Sequence, residues 1–277
     1  MNKQQLLAAM EECGMHAGKI LGQNFLLDSN LLDFIIRSTT PQPGETILEV
    51  GPGFGALTQL LLNTGAEVYS IEFDHRLAEY LRSHLTVPNF HLIEGDAARV
   101  NLVRELPIVS GPWRAIANLP YSISSIFIVR LLELVNPPRE MFFMLQKEMG
   151  QRLAATISTK NYGALSVRAQ YLYQVELVKI VPPQVFFPPP GVDSALVSFR
   201  LRDEIPPWEQ RRKFNSIVKV AFAQRRKQLF KVLAGNFPPA SLEQAFEKLG
   251  IPREIRPEAL TVSQFAQLAA MVDYEEK

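Results

Sequence analysis

Cysteine is almost absent from this sequence. Cys13 stands alone in 277 residues, which excludes an internal disulfide framework and any multi-cysteine zinc site. Histidine is sparse as well. His16, His75, His84 and His91 never stand at i, i+4, so no pair has metal-binding spacing and no metal is expected. No apolar run approaches the ~18 residues of a membrane span. The stretch from Met1 to Lys19 carries Glu11 and Glu12 and no long apolar core, unlike a secretory signal. Together these absences point to a cytoplasmic protein without a membrane partner. Internal repeats and low-complexity tracts are also lacking.

What is present is enough for a substantial core. The chain is 47% apolar and 21% charged, a globular composition, and its length suits one large domain or two smaller ones. The net charge of +1 conceals an asymmetry. Arg211, Arg212, Lys213, Lys219, Arg225, Arg226, Lys227 and Lys231 fall in one stretch without a single acid, leaving 21 basic and 28 acidic groups elsewhere. Such a patch on a faintly acidic body attracts polyanions, although a solvated helix face has the same composition.

From about residue 46 to 146, apolar runs alternate with helix-like segments. Thr46–Val50, Glu67–Ile71, Phe90–Ile93, Arg114–Ala117 and Met141–Leu145 read as strands. Ala56–Leu62, Asp74–Leu85 and Ser124–Leu134 read as helices. That alternation predicts an α/β fold with a parallel sheet covered by helices. Two further strands are expected at Val175–Ile180 and Ala195–Leu201, joined through Phe187–Pro190 and Gly191. After Ile205–Pro207 the pattern becomes helical: Phe214, Ile217, Val218, Ala221 and Phe222, then Leu242, Phe246 and Leu249, then Phe265, Leu268 and Met271. The expected division is therefore a first domain over residues 1–206 and a small all-α domain over 207–277, the latter carrying the basic residues.

Three turns after strands carry the candidate chemistry. Gly51-Pro52-Gly53-Phe54-Gly55-Ala56 follows an apolar strand and opens a helix, which suits close approach of a ligand to the backbone. Gly51, Gly53 and Ala56 satisfy the loose pattern G-x-G-x-x-G/A, and Glu72 lies where a ribose-binding acid belongs, so an NAD enzyme fits this motif taken alone. Pro52 removes a backbone donor that a pyrophosphate would use. A ligand without phosphates, such as an adenosyl group joined to an amino acid, fits better. Asp96, after the third strand, is placed to accept from an adenine amine or simply to form a turn. At the ends of successive parallel strands, these residues converge on the crevice where such sheets bind ligands.

Asn118-Leu119-Pro120-Tyr121 is the most specific motif. An exocyclic amine on an aromatic ring is a poor nucleophile because its lone pair is delocalised. Acceptors aimed at its hydrogens stabilise the positive charge that grows on attack. The Asn118 side-chain oxygen and the Leu119 carbonyl are suited to this, Pro120 fixes the turn, and Tyr121 offers a face on which a base can stack.

These motifs resemble the amino-methyltransferases that use S-adenosylmethionine. More narrowly, the chain from about Gly22 onward resembles the ribosomal RNA adenine dimethyltransferase family, the KsgA/RsmA group with its Dim and Erm relatives. Gly22-Gln23-Asn24-Phe25-Leu26 is similar to that family's cofactor-capping segment, and Phe143–Glu148 and Phe186–Ser194 to further signatures. The resemblance implies a Rossmann-like methyltransferase sheet with a helical RNA-binding domain. It assigns cofactor contacts to Asn24, Leu26, Gly51, Gly53, Glu72, Asp96 and Asn118. It places Phe186 opposite Tyr121, sandwiching the target adenine. It also implies dimethylation at N6 of two adjacent adenines in a loop near the 3′ end of 16S rRNA, within an immature small subunit, with S-adenosylhomocysteine as product and a role in subunit biogenesis. The protein is expected to act as a monomer. An Erm-like 23S rRNA enzyme, a non-enzymatic assembly factor on the same fold and the NAD-dependent oxidoreductase remain as alternatives.

Overall fold

The computed structural model describes residues 1–15, 23–107 and 111–273; His16, Lys19 and Gly22 lie outside the described residues. The long strands are β1 (Thr46–Val50), β2 (Glu67–Glu72), β3 (Phe90–Glu94), β4 (Trp113–Asn118), β5 (Glu140–Gln146), β6 (Tyr173–Val181) and β7 (Ser194–Leu201). They form one seven-stranded sheet in the order β3-β2-β1-β4-β5-β7-β6. Strands β3, β2, β1, β4 and β5 pair in parallel, and β7 runs antiparallel to β5. The chain order reverses beside β1, the position at which open parallel sheets bind ligands beyond the carboxyl ends of their strands.

The strand sequences explain this layer. TILEV, WRAIAN and EMFFMLQ are apolar on both faces, as strands covered by helices on both sides must be. Ile47, Ile116, Phe142 and Leu196 bury one face against helices Ser29–Thr39 and Ala56–Asn63. Helix His75–His84 opens at Asp74, whose carboxylate accepts from the Arg76 N–H and satisfies one orphan donor.

The chain divides into two compact units. The sheet unit comprises Met1–Leu131, Asn136–Gly150 and Leu177–Arg200, and the second comprises Leu132–Val135, Gln151–Glu176 and Leu201–Lys277. The second unit is helical around a core that includes Phe214, Ile217, Val218, Ala221, Leu242, Phe246, Phe265 and Leu268, the residues marked out by their spacing. It also takes in helix Ala164–Leu172, which contributes the buried Val167. The helix expected over Ser124–Leu134 ends at Leu132. Beyond it, the carbonyls of Leu134 and Val135 accept from the Arg211 guanidinium instead of continuing a helical ladder. No described helix is long and apolar enough to cross a membrane.

Candidate active site

The glycine turn leaves β1 with positive φ at Gly51 (68°) and Gly53 (58°), a conformation that costs other residues ~1–2 kcal/mol. Both positions are also crowded. A Cβ on Gly51 would lie 3.0 Å from Pro120 Cγ, and one on Gly53 would lie 3.0 Å from Phe25 Cδ1. The turn is thus pressed against both the Asn118–Tyr121 motif and the short strand Phe25–Leu26, and only glycine permits that approach.

Between these segments lies a cleft whose walls include Gln23, Asn24, Leu26, Gly51, Gly53, Glu72, Asn118, Leu119, Pro120 and Tyr121. Glu72 ends β2 and is buried. Its Oε1 accepts the N–H groups of Phe73 and Asp74 at 2.8 and 2.9 Å, and its Oε2 accepts that of Gly53 at 3.3 Å. Burial raises its pKa, and the three N–H groups oppose the rise. Glu49, one strand over, is only 2% exposed and accepts the Thr58 and Ser70 hydroxyls at 2.6 and 3.1 Å. Burial, reinforced weakly by the neighbouring Glu72 charge, raises its pKa to about 7 against the pull of those two hydroxyls.

Asn118 is the last residue of β4. Its Nδ2 donates to the Asn24 carbonyl at 3.2 Å, which assigns the orientation of the carboxamide. Its Oδ1 receives no hydrogen bond from the described residues, and neither does the Leu119 carbonyl, while the Leu119 N–H is tied to Met144 at 3.2 Å. The motif therefore presents two uncommitted acceptors at the cleft. The Tyr121 hydroxyl lies 2.6 Å from that of Ser194, and burial raises the phenol pKa.

Two expected residues stand elsewhere. Asp96 is not on the cleft wall. It lies in the turn after β3, where Oδ1 accepts the Ala98 N–H at 2.8 Å and Oδ2 is 3.5 Å from Arg99. Phe186 is not on the cleft wall either. It is 3% exposed, pairs with Leu26 in a two-stranded ribbon and packs into the core with Val181 and Leu196.

The basic stretch also divides. Lys219, Arg226, Lys227 and Lys231 are exposed, while Arg212, Lys213 and Arg225 are half-buried. Arg225 donates to the Thr159 carbonyl at 3.2 Å, and Arg212 lies 3.6 Å from Glu209. Arg211 is a correction: it is 2% exposed, and its guanidinium donates to the Leu134 and Val135 carbonyls at 2.9 and 2.8 Å. It anchors a segment of its own unit and is not available to a phosphate.

Sequence reasoning passed over Gln23, whose buried Oε1 at the cleft has no hydrogen-bond partner among the described residues. Its place beside Asn24 in the Gly22–Leu26 run was the signal. It also passed over Met1 and Leu6, which bring the N-terminal helix Lys3–Glu12 to the wall and which no motif marks.

Residues 15–273 match the family model described as ribosomal RNA adenine dimethylase. A ribosomal RNA small subunit methyltransferase A of Vibrio cholerae is 40% identical over 266 residues, covering 95% of this chain and 96% of that one. Its namesake in Thermosynechococcus vestitus is 38% identical over 263 residues, 93% of this chain and 97% of that one. Among solved structures, the 23S rRNA methyltransferase ErmE is similar at 27% identity with a TM-score of 0.67, covering 91% of this chain and 100% of that one. A dimethyladenosine transferase from Plasmodium falciparum shares the fold, with a TM-score of 0.74 at 24% identity over 90% of this chain and 100% of that one.

Proposed function

This chain belongs to the ribosomal RNA adenine dimethylase family, and from that premise we propose how its residues carry out the reaction and on which RNA. It is an S-adenosylmethionine-dependent enzyme that methylates adenine N6 in ribosomal RNA. The cleft suits that methyl donor. It combines a buried acceptor at Gln23 that has no partner among the described residues, a carboxylate at Glu72 for ribose hydroxyls, and a glycine turn whose Pro52 disfavours a pyrophosphate. That last feature, with the family match, sets the NAD reading aside. Asn24, Leu26, Gly51, Gly53, Glu72 and Asn118 would hold the donor; Asp96 stands off the cleft wall, in the turn after β3, and would reach its adenine amine only if the donor extends past that wall. Bound there, S-adenosylmethionine supplies a methyl group already activated on a sulfonium.

The observation that carries the catalytic reading is the pinned Asn118 carboxamide. With Nδ2 committed to Asn24, Oδ1 and the Leu119 carbonyl are left to accept the two hydrogens of the target amine. They stabilise the positive charge that develops on that nitrogen, in a site where preorganised dipoles act strongly. Tyr121 stacks on the flat face of the base once it has left its own stack. No general base is required during transfer, since the proton becomes acidic only after the new bond forms and is then lost to water. Positioning supplies much of the rate, for which intramolecular precedents reach ~7–11 kcal/mol.

The substrate is the small-subunit rRNA. Relatives named for that subunit reach 38–40% identity, against 27% for ErmE, named for 23S rRNA. We further assign the reaction to two adjacent adenines near the 3′ end of 16S rRNA, in an immature subunit, by a monomer in the cytoplasm that releases S-adenosylhomocysteine and needs no metal. An assembly role coexists with the enzymatic one. Lys219, Arg226, Lys227 and Lys231 of the helical unit contact RNA phosphates, with Arg212, Lys213 and Arg225 beside them. Mass spectrometry of rRNA nucleosides, after incubation with labelled S-adenosylmethionine and unmethylated small subunits, tests the assignment. Label in dimethyladenosine of 16S rRNA is expected. Label confined to 23S rRNA, or absent, would contradict it.

A further inference from the structure

The Tyr121 ring is held at both ends. At the backbone end, the Leu119 N–H two residues upstream donates to the Met144 carbonyl of β5 at 3.2 Å, and the Tyr121 carbonyl accepts the Ser124 hydroxyl at 3.1 Å. At the far end, the phenol lies 2.6 Å from the hydroxyl of Ser194, which is fully buried at the start of β7. Ser194 is itself fastened. It pairs with Gln146 at the end of the β5–β7 ladder, and one step further the Lys147 N–H donates to the Asp193 carbonyl at 2.9 Å. The Lys147 ammonium closes the same junction on Asp193 Oδ2, also at 2.9 Å. A tyrosine fixed at its backbone and at its hydroxyl cannot swing about Cα–Cβ, so the place of its ring and the direction of its long axis are set before any base arrives.

We propose that Ser194 is a positioning residue for methyl transfer, anchoring the Tyr121 hydroxyl to the pinned end of β7 so that the ring meets the target adenine in one place. The inference rests on the reading of Tyr121 as the stacking face. In this arrangement the phenol is a tether and neither gives nor takes a proton in the reaction. Removing either hydroxyl then breaks the same restraint, and removing both does no further harm. A base that stacks on a swinging ring still binds but spends less time in line with the methyl group, so the loss appears in kcat more than in KM.

The test is a double-mutant cycle in methylation of unmethylated small subunits with S-adenosylmethionine, using Ser194→Ala, Tyr121→Phe and the pair. Each single variant is expected to lower kcat about tenfold, the scale of one hydrogen bond, with little change in either KM. The double variant should match the singles, and Ser194→Thr should restore most of the rate by returning the hydroxyl. Tyr121→Phe reads the same bond from its partner if Ser194→Ala does not fold. Losses that multiply to about a hundredfold in the pair would overturn the tether. Tyr121→Ala separates the two layers. If it is inactive while Ser194→Ala and Tyr121→Phe run at the wild-type rate, only the tether fails. If Tyr121→Ala itself keeps the wild-type rate, the stacking reading fails and the tether with it.

Discussion

Asn118 and Glu49 show how single groups are set by their surroundings. In the proposed reaction the Asn118 carboxamide acts through the end that the protein does not use, so Asn118→Ala should reduce single-turnover methylation by at least a hundredfold, the scale of one lost preorganised dipole. Its melting temperature should stay near the wild-type value, because one half-buried hydrogen bond is lost. Retained transfer at the wild-type rate would remove Asn118 from the chemistry. Glu49 makes a stability prediction. Its folded pKa is about 7 against an ordinary value of 4.5, so between those pH values the folded chain binds more protons than the unfolded one. The group's contribution to stability therefore falls as pH rises through that window and is level above it. Glu49→Gln lacks this dependence. Relative to wild type, its stability should rise from pH 5 to pH 8 by no more than about 3 kcal/mol, read by denaturant titration at each pH.

At the scale of elements, the glycine turn and the Asn118–Tyr121 motif are one object. Gly51 sits at positive φ with its missing Cβ directed toward Pro120, so Gly51→Ala both strains the turn and displaces the loop that carries the acceptors. Calorimetric titration with S-adenosylhomocysteine should show at least a tenfold weaker affinity, and the melting temperature should fall. An unchanged affinity would mean that the turn accommodates a methyl group against Pro120 after all. Most strands, and the helices over 56–63 and 75–84, were legible as elements because apolar spacing and turn residues act over a few residues. Helix Ala164–Leu172 was not: its buried residues Ser166, Val167, Ala169 and Leu172 do not form a single apolar stripe. The end of helix Ser124–Leu132 was not either. Arg211, 77 residues beyond Leu134, takes up that carbonyl, and such a tertiary contact overrides local helix propensity.

For the whole molecule, the proposed RNA contact of the basic stretch rests on its exposed members. Reversing Arg226 and Lys227 to Glu should weaken binding to small-subunit rRNA and reduce the slope of log affinity against log salt by roughly 2, one for each lost phosphate contact. Affinity for S-adenosylhomocysteine should not change, because neither residue lines the cleft. Filter binding across a salt series distinguishes this from a folding defect, which would lower both affinities together. An unaltered slope would leave the helical unit without its assigned role.

The sequence by itself determined the strand–helix alternation, the helical C-terminal segment and the placement of Gly51, Glu72 and Asn118 at strand ends, because those depend on spacing and on the backbone chemistry of glycine, proline and asparagine. Tertiary structure decided which members of each motif face outward. It buried Arg211 against two carbonyls and Phe186 in the core, drew helix Lys3–Glu12 onto the cleft, joined Tyr121 to Ser194 and raised the pKa of Glu49. Burial and desolvation depend on whatever distant segment packs against a residue, and local sequence carries no record of that partner.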